Sequence, residues 1–184
     1  MRVWKTVALI VIGVAAALPS HASGMCVVVT DPVGDVDTTI VQEYDPALDI
    51  VELRMGVSPE SLTVEWKVVD LSFAHPLAAT TQVWQAYWDD PVTGNQAMLR
   101  PERDALTGDV WVGYYYDYKV HLEPIFDLAT NTIRVEVPRW AFPASDGQSL
   151  TNVYTVSLHY PIILGGDNRE PEPGMSSFTV GASC

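Results

Sequence analysis

The chain has 184 residues, with 23 acidic side chains against 10 basic ones and a formal net charge of −13. So acidic a surface repels nucleic acid and anionic lipid, and suits cations or a neutral partner such as a glycan. A hydrophobic share of 48% is enough for one domain with a substantial core.

The first element is a leader. Arg2 and Lys5 precede an uncharged apolar run from Thr6 to Leu18, Pro19 breaks it, and Ser20-His21-Ala22 offers small residues where a signal peptidase reads. The run is shorter than the roughly 18–20 apolar residues a membrane span needs, so residues 1–22 read as a cleaved signal peptide and not as an anchor. Cleavage after Ala22 takes 22 residues from 184 and leaves 162, residues 23–184, as a single exported domain. Loss of Arg2 and Lys5 moves the net charge from −13 to −15. Nothing after the leader resembles a transmembrane segment.

The strands follow in order. Met25–Thr30 is a short β-branched run. Leu48–Val57 alternates, with a slip near Val51 that reads as a bulge, and Ser58-Pro59-Glu60-Ser61 turns it back into Leu62–Val69, where Leu62, Val64, Trp66 and Val68 share one face. Thr80–Trp88 is a further strand, Asp89–Gly94 a turn, Gln96–Leu99 its continuation and Arg100–Thr107 a loop. Asp109–Leu122 reads as one long aromatic strand, with Trp111, Tyr115, Asp117, Lys119 and His121 on one face. Ile133–Val137 alternates again, Pro138–Phe142 makes one short helical turn, Leu150–Tyr160 is a strand, and Ser176–Val180 closes the set. No stretch keeps a helical period. Short strands punctuated by turn residues predict an all-β fold, a single antiparallel β-sandwich of jelly-roll or immunoglobulin-like type.

Several fragments carry a family resemblance: the DPVGD turn, the hairpin YDPALDIVELRMGVSPESLTVEWKVVDLS, the strand and turn NTIRVEVPRWAF, and the acidic loop with its last strand, GGDNREPEPGMSSFTVG. Their order resembles secreted β-sandwich modules of the DOMON and family-9 carbohydrate-binding type, over nearly the whole domain. The resemblance implies structural calcium and a sugar, haem or surface-polymer ligand. Haem of the DOMON kind wants a Met and a His placed together, and nothing ties Met55, Met98 or Met175 to a histidine.

Candidate sites come from three sets of residues. Asp31, Asp35 and Asp37 in DPVGDVD offer carboxylates from one glycine-containing turn, a donor set that suits calcium. It is not an EF-hand, since Val33 and Gln42 stand where that loop needs ligands. Asp49, at the start of an apolar strand, and Asp167 are expected to complete the site, with Glu170 nearby; turn capping is the competing role for such aspartates. Trp84, Trp88, Trp111 and Tyr115, with Tyr118, are the candidate platform for a carbohydrate ring, whereas Trp66 and Trp140 are assigned to the core. Cys26 and Cys184 are expected to form a disulfide that clips the chain's extremities and closes nearly the whole domain. Catalytic motifs are lacking, His75, His121 and His159 stand singly, and adjacent Asp89 and Asp90 would point to opposite faces of a strand. The expected function is therefore that of a secreted, non-catalytic binding module, calcium-stabilised and recognising carbohydrate or a surface polymer. Its alternatives are a structural or protein-interaction domain of the cell envelope and an enzyme with an unrecognised site.

Overall fold

The computed structural model describes residues 24–36, 44–72, 81–104, 110–116, 118–160, 166–169 and 176–184; at 110–116, 118, 119, 160 and 166–169 it describes the backbone alone. The expected leader at 1–22, Asp37, His75 and Glu170 lie outside the described residues. No helix among them is long and apolar enough to cross a membrane.

Twelve strands are described: β1 (Cys26–Thr30), β2 (Ile50–Val57), β3 (Ser61–Val68), β4 (Thr81–Asp89), β5 (Gln96–Asp104), β6 (Val110–Tyr116), β7 (Tyr118–His121), β8 (Ile125–Asp127), β9 (Thr132–Pro138), β10 (Ser149–Tyr160), β11 (Gly166–Arg169) and β12 (Phe178–Thr179). They form two antiparallel sheets, the first in the order β1-β2-β3-β9-β8 and the second in the order β11-β10-β4-β5-β6-β7, with β12 also paired to β10. The sheets pack face to face, as the alternation in the strands requires when each has one apolar face to bury. Leu53, Met55, Leu62, Val64, Trp66, Ile133, Val135 and Val137 come from the first sheet, and Trp84, Ala86, Trp88, Ala97, Leu99 and Val153 from the second.

Polar ties cross this interior. Trp66 Nε1 donates to Thr155 Oγ1 at 3.0 Å, and the Thr155 hydroxyl donates on to the Gln85 carbonyl at 2.8 Å. Trp84 Nε1 donates to the Ala47 carbonyl at 2.9 Å, and the Ser157 hydroxyl to that of Leu48. A buried donor without a partner is costly, so the Trp66–Thr155 bond also fixes how one sheet sits on the other, and the bonds to Ala47 and Leu48 tie the connection before β2 to the second sheet.

Several expectations hold. The slip near Val51 is a bulge, where the β2–β3 register shifts between Ile50 and Glu52. Asp90 caps the turn after β4 by accepting the Val92 and Thr93 amides, and Gly94 supplies the positive φ of 71° that this turn requires. The turn after β9 is a single 3-10 turn, Arg139–Ala141.

Others are corrected. Arg100–Thr107 is not all loop, because β5 runs on to Asp104. Pro101 is accommodated where the β4–β5 register passes from Val83–Glu102 to Ala86–Leu99, since proline has no N–H to give there. The long aromatic strand is a hairpin, β6 and β7, closing at Tyr116–Tyr118. Trp140 is not in the core: the 3-10 turn sends Phe142 inward, at 1% exposed, and leaves Trp140 outside at 76%.

Candidate functional site

The acidic turn after β1 folds against the start of β2. Asp31 donates its amide to the Val51 carbonyl at 3.0 Å, and the chain then turns through Gly34 at φ 93°. Gly34 donates its amide to Asp49 Oδ2 at 2.8 Å, and the Tyr44 hydroxyl donates to the same oxygen. Asp49 is fully buried, Asp31 is buried and Asp35 is exposed. Partial burial first, then the bond to Asp49 and the negative charges of Asp49, Asp35 and Asp45, push the Tyr44 hydroxyl well above its ordinary pKa. Asp49 Oδ1 has no hydrogen-bond partner among the described residues. Asp31 and Asp35 thus flank a turn whose Gly34 reaches Asp49. Among the described residues, however, no three acidic, histidine or cysteine side chains gather closely enough to hold a metal. Asp167 lies in β11, opposite Ser157, the residue whose hydroxyl reaches the Leu48 carbonyl beside Asp49.

A second polar cluster adjoins this turn, and sequence reasoning missed it. Asp45 accepts from the Ala47 amide at 2.9 Å and from Gln82 Nε2 at 3.1 Å, and its Oδ2 lies 2.9 Å from His159 Nε2. Arg103 donates to Gln82 Oε1 and, at 3.0 Å, to the Leu71 carbonyl. Asp45, Gln82 and His159 are all buried. Burial alone would raise the Asp45 carboxyl; the bonds from His159, Ala47 and Gln82 and the His159 charge outweigh it and hold the group below its usual value. The cluster joins the connection before β2 to β4, β5 and β10. Its aspartate and histidine lie far apart in the chain and match no local motif, so only the fold reveals it.

The aromatic candidates divide. Trp84 and Trp88 are fully buried between the sheets and present no face to a ligand, which corrects their assignment to a platform. β4 is central and buried on nearly every residue, so its alternation does not tell inside from outside. Trp111 and Tyr115 fall on the other parity. The register pairs Trp111 with Glu102, Gly113 with Arg100 and Tyr115 with Met98, which places these β6 positions on the outer face of the second sheet with glycine between the two aromatics. His121 of β7 pairs with Gly113 on the same face.

Neighbouring strands continue this outer face. Tyr87 and Tyr154 stack with ring centroids 4.6 Å apart and planes 10° from parallel. The Tyr87 hydroxyl donates to Gln85 Oε1 at 3.0 Å, Gln85 Nε2 lies 3.6 Å from Met98 Sδ, and Gln96 Nε2 donates to the Tyr154 hydroxyl at 3.1 Å. Arg100 pairs with Glu102. Burial raises the Tyr87 hydroxyl, assisted by Tyr154 and opposed by Arg100; it also raises the Glu102 carboxyl against the pull of Arg100. The face is a half-buried mixture of rings, amides and one ion pair, chemically able to stack on a flat apolar surface and to hydrogen-bond hydroxyls.

No protein-family model matches the chain, and neither does any curated protein or solved structure.

Proposed function

We propose that the chain is an exported, non-catalytic binding module that takes a carbohydrate on the outer face of the second sheet. One observation carries the reading: the β6 positions Trp111 and Tyr115, on either side of Gly113, share a sheet face with the Tyr87–Tyr154 stack two strands away and with the amides of Gln85 and Gln96. Gly113 thus stands between two flanking aromatic positions of β6. A sugar ring has flat C–H faces for such flanks and equatorial hydroxyls for the amides. Export is inferred from the leader pattern together with the Cys26–Cys184 disulfide, a bond that persists in oxidising compartments.

Affinity electrophoresis through hydroxyethylcellulose, xylan and galactomannan tests this. Retardation by at least one polymer is expected, together with its loss in Trp111→Ala and Tyr115→Ala. If no neutral polymer retards the native protein, the domain serves as a structural or protein-interaction element of the cell envelope instead.

The same reading assigns a calcium ion to the turn around Asp31, Asp35 and Asp49. Hard carboxylate oxygens suit calcium, and the unpartnered, buried Oδ1 of Asp49 is a group such an ion satisfies. With fewer than three side-chain donors converging among the described residues, carbonyl and water oxygens fill the remaining positions. A ligand held only by the native state raises apparent stability by mass action, so added calcium should raise the melting temperature and EDTA should lower it. A melting curve indifferent to both removes the ion.

A further inference from the structure

The outer face of the first sheet is of a different kind. It carries a groove of about 450 Å3 lined by Arg54, Glu65, Lys67, Asp127, Thr132 and Arg134, a size that suits a small ligand. On a merely solvated face of alternating charge, each cation would be answered by the acid beside it. Glu52 stands opposite Lys67 in the β2–β3 register, yet both Nε and Nη2 of Arg54 already hold Glu52. Nη1 of Arg54 reaches Glu65 at 3.5 Å, and Arg134 pairs with Glu136 through Nη2. The Asp127 carboxylate accepts the Ala129 and Thr130 amides at 2.9 and 3.3 Å; the bond from the Thr130 side chain first, then these amides, hold it below the ordinary carboxylate pKa. Lys67, half-buried on a central strand, is left with no ion pair or hydrogen bond among the described residues.

With Glu52 and Glu136 counted, three cations here face four acids, and among the described residues Lys67 is the groove cation that no acid answers. Beside the uncommitted ammonium stand Thr132, whose hydroxyl lies 2.8 Å from that of Thr130, and Ile125, an exposed apolar side chain at the rim. We propose that this groove binds a hydroxylated ring carrying one carboxylate, a uronic-acid unit. Lys67 takes the carboxylate, the threonine hydroxyls and Glu65 take ring hydroxyls, and Ile125 covers a C–H face. The site lies on the opposite sheet from the neutral-sugar face and does not depend on it.

Calorimetric titration of the intact, disulfide-bonded protein with trigalacturonate and with the neutral galactotriose tests the proposal. Trigalacturonate should bind at least tenfold more tightly, and the difference should shrink as sodium chloride is raised. Lys67→Gln should lower its affinity at least fivefold with no change in melting temperature, and Thr132→Val should lower it by a smaller factor. Equal affinity for the two trisaccharides, no binding of either, or a Lys67→Gln protein that binds trigalacturonate like the native one would overturn the assignment. So would loss of trigalacturonate binding in Trp111→Ala, which would move the uronate to the second sheet.

Discussion

Trp84 and Trp140 are the same residue type in opposite situations, and their contrast is measurable. Trp84 is fully buried, donates its indole N–H to the Ala47 carbonyl, meets Phe126 edge-on at 5.7 Å and lies under the Arg103 guanidinium at 5.9 Å. Trp84→Ala should cost about 3–5 kcal/mol, the usual range for removing a large core aromatic. Trp140 stands 76% exposed on a turn whose Phe142 is anchored in the core. Trp140→Ala should therefore change stability by less than about 0.5 kcal/mol. Urea denaturation of the two variants checks both values, and acrylamide should quench Trp140 while sparing Trp84. The sequence shows six tryptophans but not which of them faces water. Trp66 is legible because polar Glu65 and Lys67 flank it in a clean alternation. Trp84 is not, because its neighbours Val83 and Gln85 are buried as well. Trp140 misleads because it follows an apolar strand, and only the direction of the 3-10 turn decides which aromatic goes inside.

β10 carries several of the polar contacts between the layers. Its inward side chains Thr155, Ser157 and His159 meet, in turn, the Trp66 indole, the Leu48 carbonyl and the Asp45 carboxylate. The last contact gives the fold an acid-sensitive tie. The folded-state pKa of Asp45 lies below the ordinary carboxylate value, so its contribution is fully present above that value and is lost as pH falls through the folded one. The window therefore lies below about pH 4, where unperturbed aspartate titrates. Asp45→Asn should cost about 1–3 kcal/mol at neutral pH, from bonds left unmade to His159 and Gln82. It should also flatten the acid limb of the stability profile, which chemical denaturation between pH 2.5 and 7 would register. An acid limb as steep in the variant as in the native chain would place the acid sensitivity elsewhere. Strands with clean alternation, β3 and β9 above all, were readable from residue pattern, as was the bulge in β2. The hairpin of β6 and β7 was not, because its side-chain parity continues through the turn and no glycine or proline marks the reversal. β11 was not, because GDNR is polar throughout and is a strand only by pairing with β10. Of the acidic site, the turn and its approach to Asp49 were legible. The Asp45–His159 pair was not, since no local pattern foretells a contact made by a connection in one layer and a strand in the other.

At the scale of the molecule, the two sheets are joined covalently as well as by packing. Cys26 opens β1 in the first sheet, and Cys184 follows β12, which pairs with β10 in the second; the two form a disulfide across 158 residues with Cα atoms 5.5 Å apart. Non-covalent contacts hold the same corner: Leu150 faces Phe178 across the β10–β12 ladder, Gly147 donates its amide to the Val180 carbonyl, and Phe178 and Val180 are buried. The bond's effect falls mainly on the unfolded chain, whose freedom it restricts, and for so long a loop the entropic model gives about 4–5 kcal/mol. In a domain of this size each kcal/mol moves the melting temperature by about 2–4 °C, so reduction should lower it by about 10–20 °C. Scanning calorimetry with and without reductant measures this, and a Cys26→Ser/Cys184→Ser double variant separates loss of the bond from effects of the reductant. Because the two-residue β12 pairs only at Ser149–Thr179 and Leu150–Phe178, the segment after Val180 should also exchange its amides faster once the bond is gone, while β3 and β4 stay protected. A shift of less than about 3 °C with unchanged exchange would mean that the burial of Phe178 and Val180 already pins this corner. The bond would then add little to the closure of the sandwich.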